Sequence, residues 1–131
     1  MKGMKGFVIN IEKETLENED YRRVLYTAHN SQLVLMSIRP GSEIGEETHT
    51  LDQFIRLEQG AGILSIDDVE HAVSADWAFI IPAGAKHNVR NTGDEVMKLY
   101  SVYSPPEHKD GIVEHTKADE VEEHFDGVVS E

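Results

Sequence analysis

Short apolar runs separated by turn residues fill most of the chain. Residues 6–11 (GFVINI), 22–27 (RRVLYT), 32–39 (QLVLMSIR), 53–58 (QFIRLE), 62–66 (GILSI), 78–81 (AFII) and 96–103 (VMKLYSVY) are rich in Val, Ile, Leu, Phe and Tyr. That composition and length predict strands. HNS at 29–31, PGSEIG at 40–45, QGAG at 59–62, PAG at 82–84 and NTGDE at 91–95 supply the turns. A further strand is expected to start at His87 and end at Asn91. Many short strands at near-regular spacing predict an all-β sandwich or barrel.

Two of these runs, LVLM (33–36) and FII (79–81), do not alternate with polar residues. A lone antiparallel sheet usually wets one face. Two-sided burial therefore predicts a closed barrel whose outside is also covered, by a second subunit or by a terminal segment. In VMKLYSVY, alternation places Met97, Leu99, Ser101 and Tyr103 inward and Lys98 towards water.

Residues 105–131 differ in character. They hold nine acidic and two basic residues, −7 of the chain's −13. Thr116 and Asp119 have the spacing of a capping box, Ala118, Val121 and Phe125 fall on one helical face, and Gly127 can end a helix. A short amphipathic C-terminal helix is expected, folded onto the barrel. The whole of 1–131 reads as one domain, with the barrel at about 20–104 and the tail and helix at 105–131.

Charge and composition narrow the function. Twelve Lys and Arg stand against 25 Asp and Glu. That balance argues against partners with anionic backbones or headgroups, so neither nucleic acid nor membrane is expected. No cysteine is present, which removes disulfides, thiolate metal sites and thiol nucleophiles. The first residues lack the apolar core of a signal peptide, and a cytoplasmic protein is the expectation. No nucleophile elbow, P-loop or dinucleotide fingerprint occurs.

The candidate chemistry lies in two stretches. In EETHTLDQF (46–54), Glu47, His49 and Gln53 stand at even separations, so a continuous strand points all three the same way. Carboxylate, imidazole and amide oxygen can each ligate a divalent cation. In PAGAKHNVRN (82–91), a Pro–Gly turn precedes His87, and His87, Val89 and Asn91 share a face. An inward His87 comes near His49 across the barrel.

Together the stretches resemble the cupin superfamily of small β-barrels. Its first motif is commonly G-x5-H-x-H-x3–4-E-x6-G, and Gly41-x5-Glu47-x-His49-x3-Gln53-x6-Gly60 keeps that spacing. Its second is commonly G-x5-P-x-G-x2-H-x3-N, matched by Pro82-x-Gly84-x2-His87-x3-Asn91 with Asp76 in place of the first Gly. Glu47 replaces the first histidine and Gln53 the glutamate. YSPPEHKDG (103–111) further resembles small cupins described as similar to mannose-6-phosphate isomerase. The resemblance implies an all-β double-stranded β-helix, the jelly-roll cupin barrel, here with its short C-terminal helix, and pairing as a homodimer. It also implies one divalent transition metal, of the Mn, Fe, Ni or Zn kind, on Glu47, His49, Gln53 and His87. Ile55, Val89 and Tyr103 are expected to line a pocket for a small-molecule ligand.

Plainer readings stand beside these. His87 can cap the PAG turn, Glu47 can belong to a solvated acidic loop, and Gln53 can bond a turn. Asp52 is the alternative oxygen donor if the strand bulges at Thr50–Leu51. Tyr103 and Trp77 can be core, or, for Trp77, subunit contact. His29, His71, His108, His115 and His124 lack ligand spacing and read as surface residues, although His108 and His115 flank the tail turn, so either can approach the barrel mouth. The functions compatible with the pattern are a metal-dependent, isomerase-like enzyme on a sugar or sugar acid, a non-catalytic small-molecule binder, and an Fe-dependent dioxygenase.

Overall fold

The structure is a computed structural model, and it describes residues 3–131. Among these residues the strands are β1 (Arg22–Thr27), β2 (Gln32–Ile38), β3 (Asp52–Gln59), β4 (Ala61–Ile66), β5 (Val69–Ser74), β6 (Ala78–Ile81), β7 (His87–Asn91), β8 (Met97–Ser104) and β9 (Val113–Glu114). They form two antiparallel sheets. The larger has the order β6-β3-β8-β2-β1-β9 and the smaller β5-β4-β7. This is the jelly-roll arrangement that the strand pattern predicts. β5 is absent from the sequence-based expectation because VEHAVS carries too few apolar residues, and all but Val73 are exposed.

The inward residues alternate as period two requires. β2 contributes Val34, Met36 and Ile38, β3 Gln53, Ile55 and Leu57, β7 His87, Val89 and Asn91, and β8 Met97, Leu99, Ser101 and Tyr103, all buried. Gln53 is paired directly with Tyr103, Ile55 with Ser101 and Leu57 with Leu99. Side chains therefore change from polar to apolar along β3. The Gln53–Tyr103 end is the mouth, and Leu57, Leu99, Met97 and Leu64 fill the other end as dry core. Asn91 serves the backbone: its amide donates to the carbonyls of Ile38 and Glu95, and its oxygen accepts from Gly93.

Two glycines are obligatory for close approach. A Cβ on Gly62 would lie 2.1 Å from the Arg90 carbonyl oxygen on β7. Gly60, at φ +96°, turns β3 into β4 against the main chain of Met97.

The terminal segments depart from expectation. Residues 6–10 are not a strand, and Ile11–Glu17 form a helix, α1. Asn10 caps it, accepting from the Lys13 amide at 3.1 Å, and Glu12 and Glu14 suit the positive end of the helix dipole. α1 packs against β8 and β3, so a terminal segment covers part of the larger sheet's outer face. That packing also buries Lys98, whose Nζ donates to the Asn18 carbonyl at 2.5 Å instead of facing water.

The expected C-terminal helix reduces to a single 3-10 turn, Lys117–Asp119. The capping box between Thr116 and Asp119 closes as the spacing predicts. Beyond it, tertiary bonds win. Glu120 pairs with Arg22, the Val121 amide donates to Glu114, and the Phe125 amide donates to the Glu107 carbonyl. Those partners hold the tail extended, and the acidic run Asp119, Glu120, Glu122, Glu123 offers no helical pairing to compete. Trp77 and Ile80 are 54% and 65% exposed, so Trp77 is not core. No helix among the described residues is long and apolar enough to cross a membrane.

Candidate functional site

The two motif stretches meet at the mouth. Glu47 and His87 exchange both main-chain hydrogen bonds, each 2.9 Å, and the Gly84 amide donates to the His49 carbonyl at 2.8 Å. The chain at 48–51 is not a continuous strand, and β3 begins at Asp52. The bridge to His87, rather than strand periodicity, brings Glu47 and His49 inward.

Side-chain contacts follow. Glu47 Oε2 lies 2.9 Å from His49 Nε2, and Glu107 Oε2 lies 3.6 Å from His49 Nδ1. The His49 and His87 rings are 5.1 Å apart, and His49 meets Tyr103 edge-on at 6.0 Å. His87 is buried with Nδ1 3.0 Å from the Ala85 carbonyl. Two acceptors cannot bond each other, so Nδ1 carries the hydrogen and donates to that carbonyl, and Nε2 is the nitrogen left without a partner there. The Gln53 amide donates to Ser101 Oγ and Tyr103 Oη, both at 3.2 Å. Its oxygen, Oε1, is buried with no partner.

Burial alone would push the Glu47 carboxyl up. The hydrogen bond and charge of His49, helped by Arg22 and His87, outweigh it and hold the group below the usual carboxylate range. Burial likewise pulls His49 down, but Glu47 and then Glu107 raise it above an ordinary histidine. Burial holds the Tyr103 phenol well above its ordinary value, so it stays a hydrogen-bond donor.

Other predicted positions lie apart from this cluster. Asp52 is exposed, and its carboxylate caps the PAG turn by accepting from the Ala83 amide at 2.9 Å. Ile55 and Val89 are fully buried in the core beneath the mouth. His29, His71, His115 and His124 are exposed.

His108 is not a surface residue. Its ring lies 5.1 Å from Tyr103, edge-on, and its Nε2 is buried without a partner. Burial, then the charges of Arg22, His49 and His124, pull its pKa down to about 3. A cavity of about 410 Å³ opens here, walled by Glu47, Glu107, His108, Arg22 and tail residues 120–124. The structure thus adds Arg22, Glu107, His108 and the tail to the residues around the mouth. Arg22 is buried and bonded to Glu114 at 2.6 Å and Glu120 at 3.2 Å. Nothing in RRVLYT marks it as inward; Tyr103, Glu107 and His108 do fall within YSPPEHKDG.

A family model described as "Cupin domain" matches residues 34–103. The chain belongs to the cupin family. It is 44% identical over 126 residues to the uncharacterized protein YrkC of Bacillus subtilis, covering 91% of this chain and 68% of that one. It is 39% identical over 113 residues to protein L612 of Acanthamoeba polyphaga mimivirus, covering 82% and 71%. The crystal structure of the BH2720 protein of Bacillus halodurans superposes with a TM-score of 0.86 at 47% identity, over 89% of this chain and 94% of that one.

Cupins commonly bind a metal, and the donor set here can be tested against one. Among the described residues, no group of three or more His, Asp or Glu side chains stands arranged to hold a metal ion. Glu47, His49 and His87 are included in that statement, and Gln53 is the further oxygen donor at this end of the barrel. Gln53 Oε1 is buried and unpartnered, His87 engages the Ala85 carbonyl through Nδ1 and not Nε2, and Glu47 is held ionised. These donors fit a divalent cation that accepts mixed N and O ligands.

Proposed function

We propose that this cupin holds one divalent transition metal (Mn, Fe, Ni or Zn) on Glu47, His49, Gln53 and His87. In this reading it is a metal-dependent, isomerase-like enzyme acting on a small polar metabolite such as a sugar or sugar acid. The observation that carries the reading is the buried, unpartnered Gln53 Oε1, set at the same end as two imidazoles and an ionised carboxylate. Leaving a buried acceptor unpaired costs about 1–3 kcal/mol, and a cation removes that cost. Bound there, the cation supplies Lewis-acid polarisation of a carbonyl or hydroxyl.

This chain's own groups do the rest. Tyr103 and Ser101 hold the Gln53 amide in place. Glu107, on the cavity wall between His49 and His124, is the carboxylate outside the donor set that moves a proton. The tail at 120–124 narrows the entrance, and a cavity of about 410 Å³ suits a small metabolite. Two copies pair through the uncovered outer face of the larger sheet, where Ile80 and Phe54 lie opposite each other beside exposed Trp77.

The reading is tested by loading the protein with each metal and screening aldoses, ketoses and sugar acids by NMR for proton exchange and isomerisation. Glu107→Gln is expected to keep the metal and lose about a hundredfold or more in turnover. Turnover without metal, or full turnover in Glu107→Gln, contradicts it.

A further inference from the structure

A second cavity, of about 500 Å³, is lined in part by residues 115–118 and shares Lys117 with the cavity at the mouth. Its walls include Arg39, Lys98 and Lys117, with hydroxyls from Tyr21, Ser37 and Ser42. In a chain of 12 basic and 25 acidic residues, this concentration of positive charge runs against the composition. Glu19 is the one carboxylate on the wall. Among the described residues it pairs with none of the three cations, and none of them forms an ion pair with any other residue.

Lys98 makes the cavity more than a surface patch. It is only 9% exposed, and its ammonium has a single partner, the Asn18 carbonyl. A carbonyl dipole satisfies one of three N–H groups and none of the charge. Burying an ammonium without a counter-ion is costly unless an anion reaches it. Lys117 is likewise bonded only to a carbonyl, that of Glu43, at 2.6 Å, and Arg39 is exposed with a free guanidinium. Arg39 offers planar bidentate donors and the lysines offer point charges, the combination that binds carboxylate or phosphate oxygens.

We propose that this cavity is a binding site for a small oxyanion, with Lys98 at its base and Arg39 and Lys117 at its rim. The site is separate from the metal donors and needs none of them. Its chemistry is shared by a phosphoryl group and a carboxylate group, and the experiment separates the two.

Inorganic phosphate and malonate are titrated calorimetrically into the full chain at constant ionic strength set with sodium chloride. Saturable binding of either one supports the site, and the tighter ligand names the group. The double variant Arg39→Gln/Lys117→Gln, at two exposed positions, is expected to weaken that binding about tenfold or more. Lys98→Met is expected to abolish it, and where Lys98→Met fails to fold the double variant decides. His87→Ala is expected to leave it unchanged, which distinguishes this site from the mouth. No saturable binding of either anion, undiminished affinity in the double variant, or loss in His87→Ala overturns the proposal.

Discussion

Glu47 and His87 are joined by a reciprocal pair of main-chain hydrogen bonds, so the two motifs are fixed to each other by backbone. The side chains at the mouth are then free to change without loss of their positions. This explains how Glu47 and Gln53 can stand where the family often has histidine and glutamate while the spacing persists.

Gln53→Glu tests the role of the neutral amide. It places a carboxylate in a buried site at the mouth and removes the amide donor to Ser101 and Tyr103. Without metal, thermal unfolding is expected to show a loss of about 2 kcal/mol. With metal, the added charge is expected to tighten binding, measured by competition with a chelator. A metal-free variant as stable as the parent, with unchanged metal affinity, would show that Gln53 does not face the cation.

His108 sets an acid limit on stability. The folded state keeps its ring uncharged down to about pH 3, whereas the unfolded chain takes up the proton near an ordinary histidine value. Stability is therefore lost as pH falls through about 6.5 towards 3. Between neutral pH and about pH 5 this amounts to about 2 kcal/mol. Glu107, His49, His124 and Arg22 surround the group in both proteins, so the comparison is with His108→Gln. Urea unfolding is expected to fall less steeply with acid in the variant; parallel curves would contradict the assignment.

The Glu47–His49 pair shows how far the sequence could be read. Strand periodicity puts Glu47, His49 and Gln53 on one face; Glu47 and His49 do meet, but through a bridge and a bent segment at 48–51, while Gln53 bonds Ser101 and Tyr103. The inward sets of β2, β3, β7 and β8 were legible because apolar alternation survives in each. Lys98 was not, because its burial depends on α1, whose only local signals are Asn10 and the acidic first turn. His108 and Arg22 were hidden for the same reason: one turn and one tail, folded from distant sequence, give them their surroundings. The tail helix failed where Glu114, Glu107 and Arg22 offered its backbone and side chains better partners.

Arg22 ties the tail to the barrel. Its guanidinium holds buried Glu114 and half-exposed Glu120. Arg22→Met strands the Glu114 carboxylate without its counter-ion, a change expected to cost about 3–5 kcal/mol. Hydrogen exchange is expected to rise first at 114–124. Unchanged protection there would mean the ion pair does not hold the tail.

Gly62→Ala is expected to be among the most damaging small substitutions. The new methyl would overlap the Arg90 carbonyl, main chain that cannot yield, and would also meet the end of the Met97 side chain. A loss of about 3 kcal/mol or more is expected by chemical denaturation. A variant within about 0.5 kcal/mol of the parent would contradict the β4–β7 register.

The most direct test of the proposed metal centre is elemental analysis of protein purified without a metal-affinity step, beside His49→Ala/His87→Ala. About one equivalent of a transition metal per chain is expected, lost in the double variant while circular dichroism shows the fold retained. No bound metal after reloading, or the same content in both proteins, would contradict the assignment of Glu47, His49, Gln53 and His87.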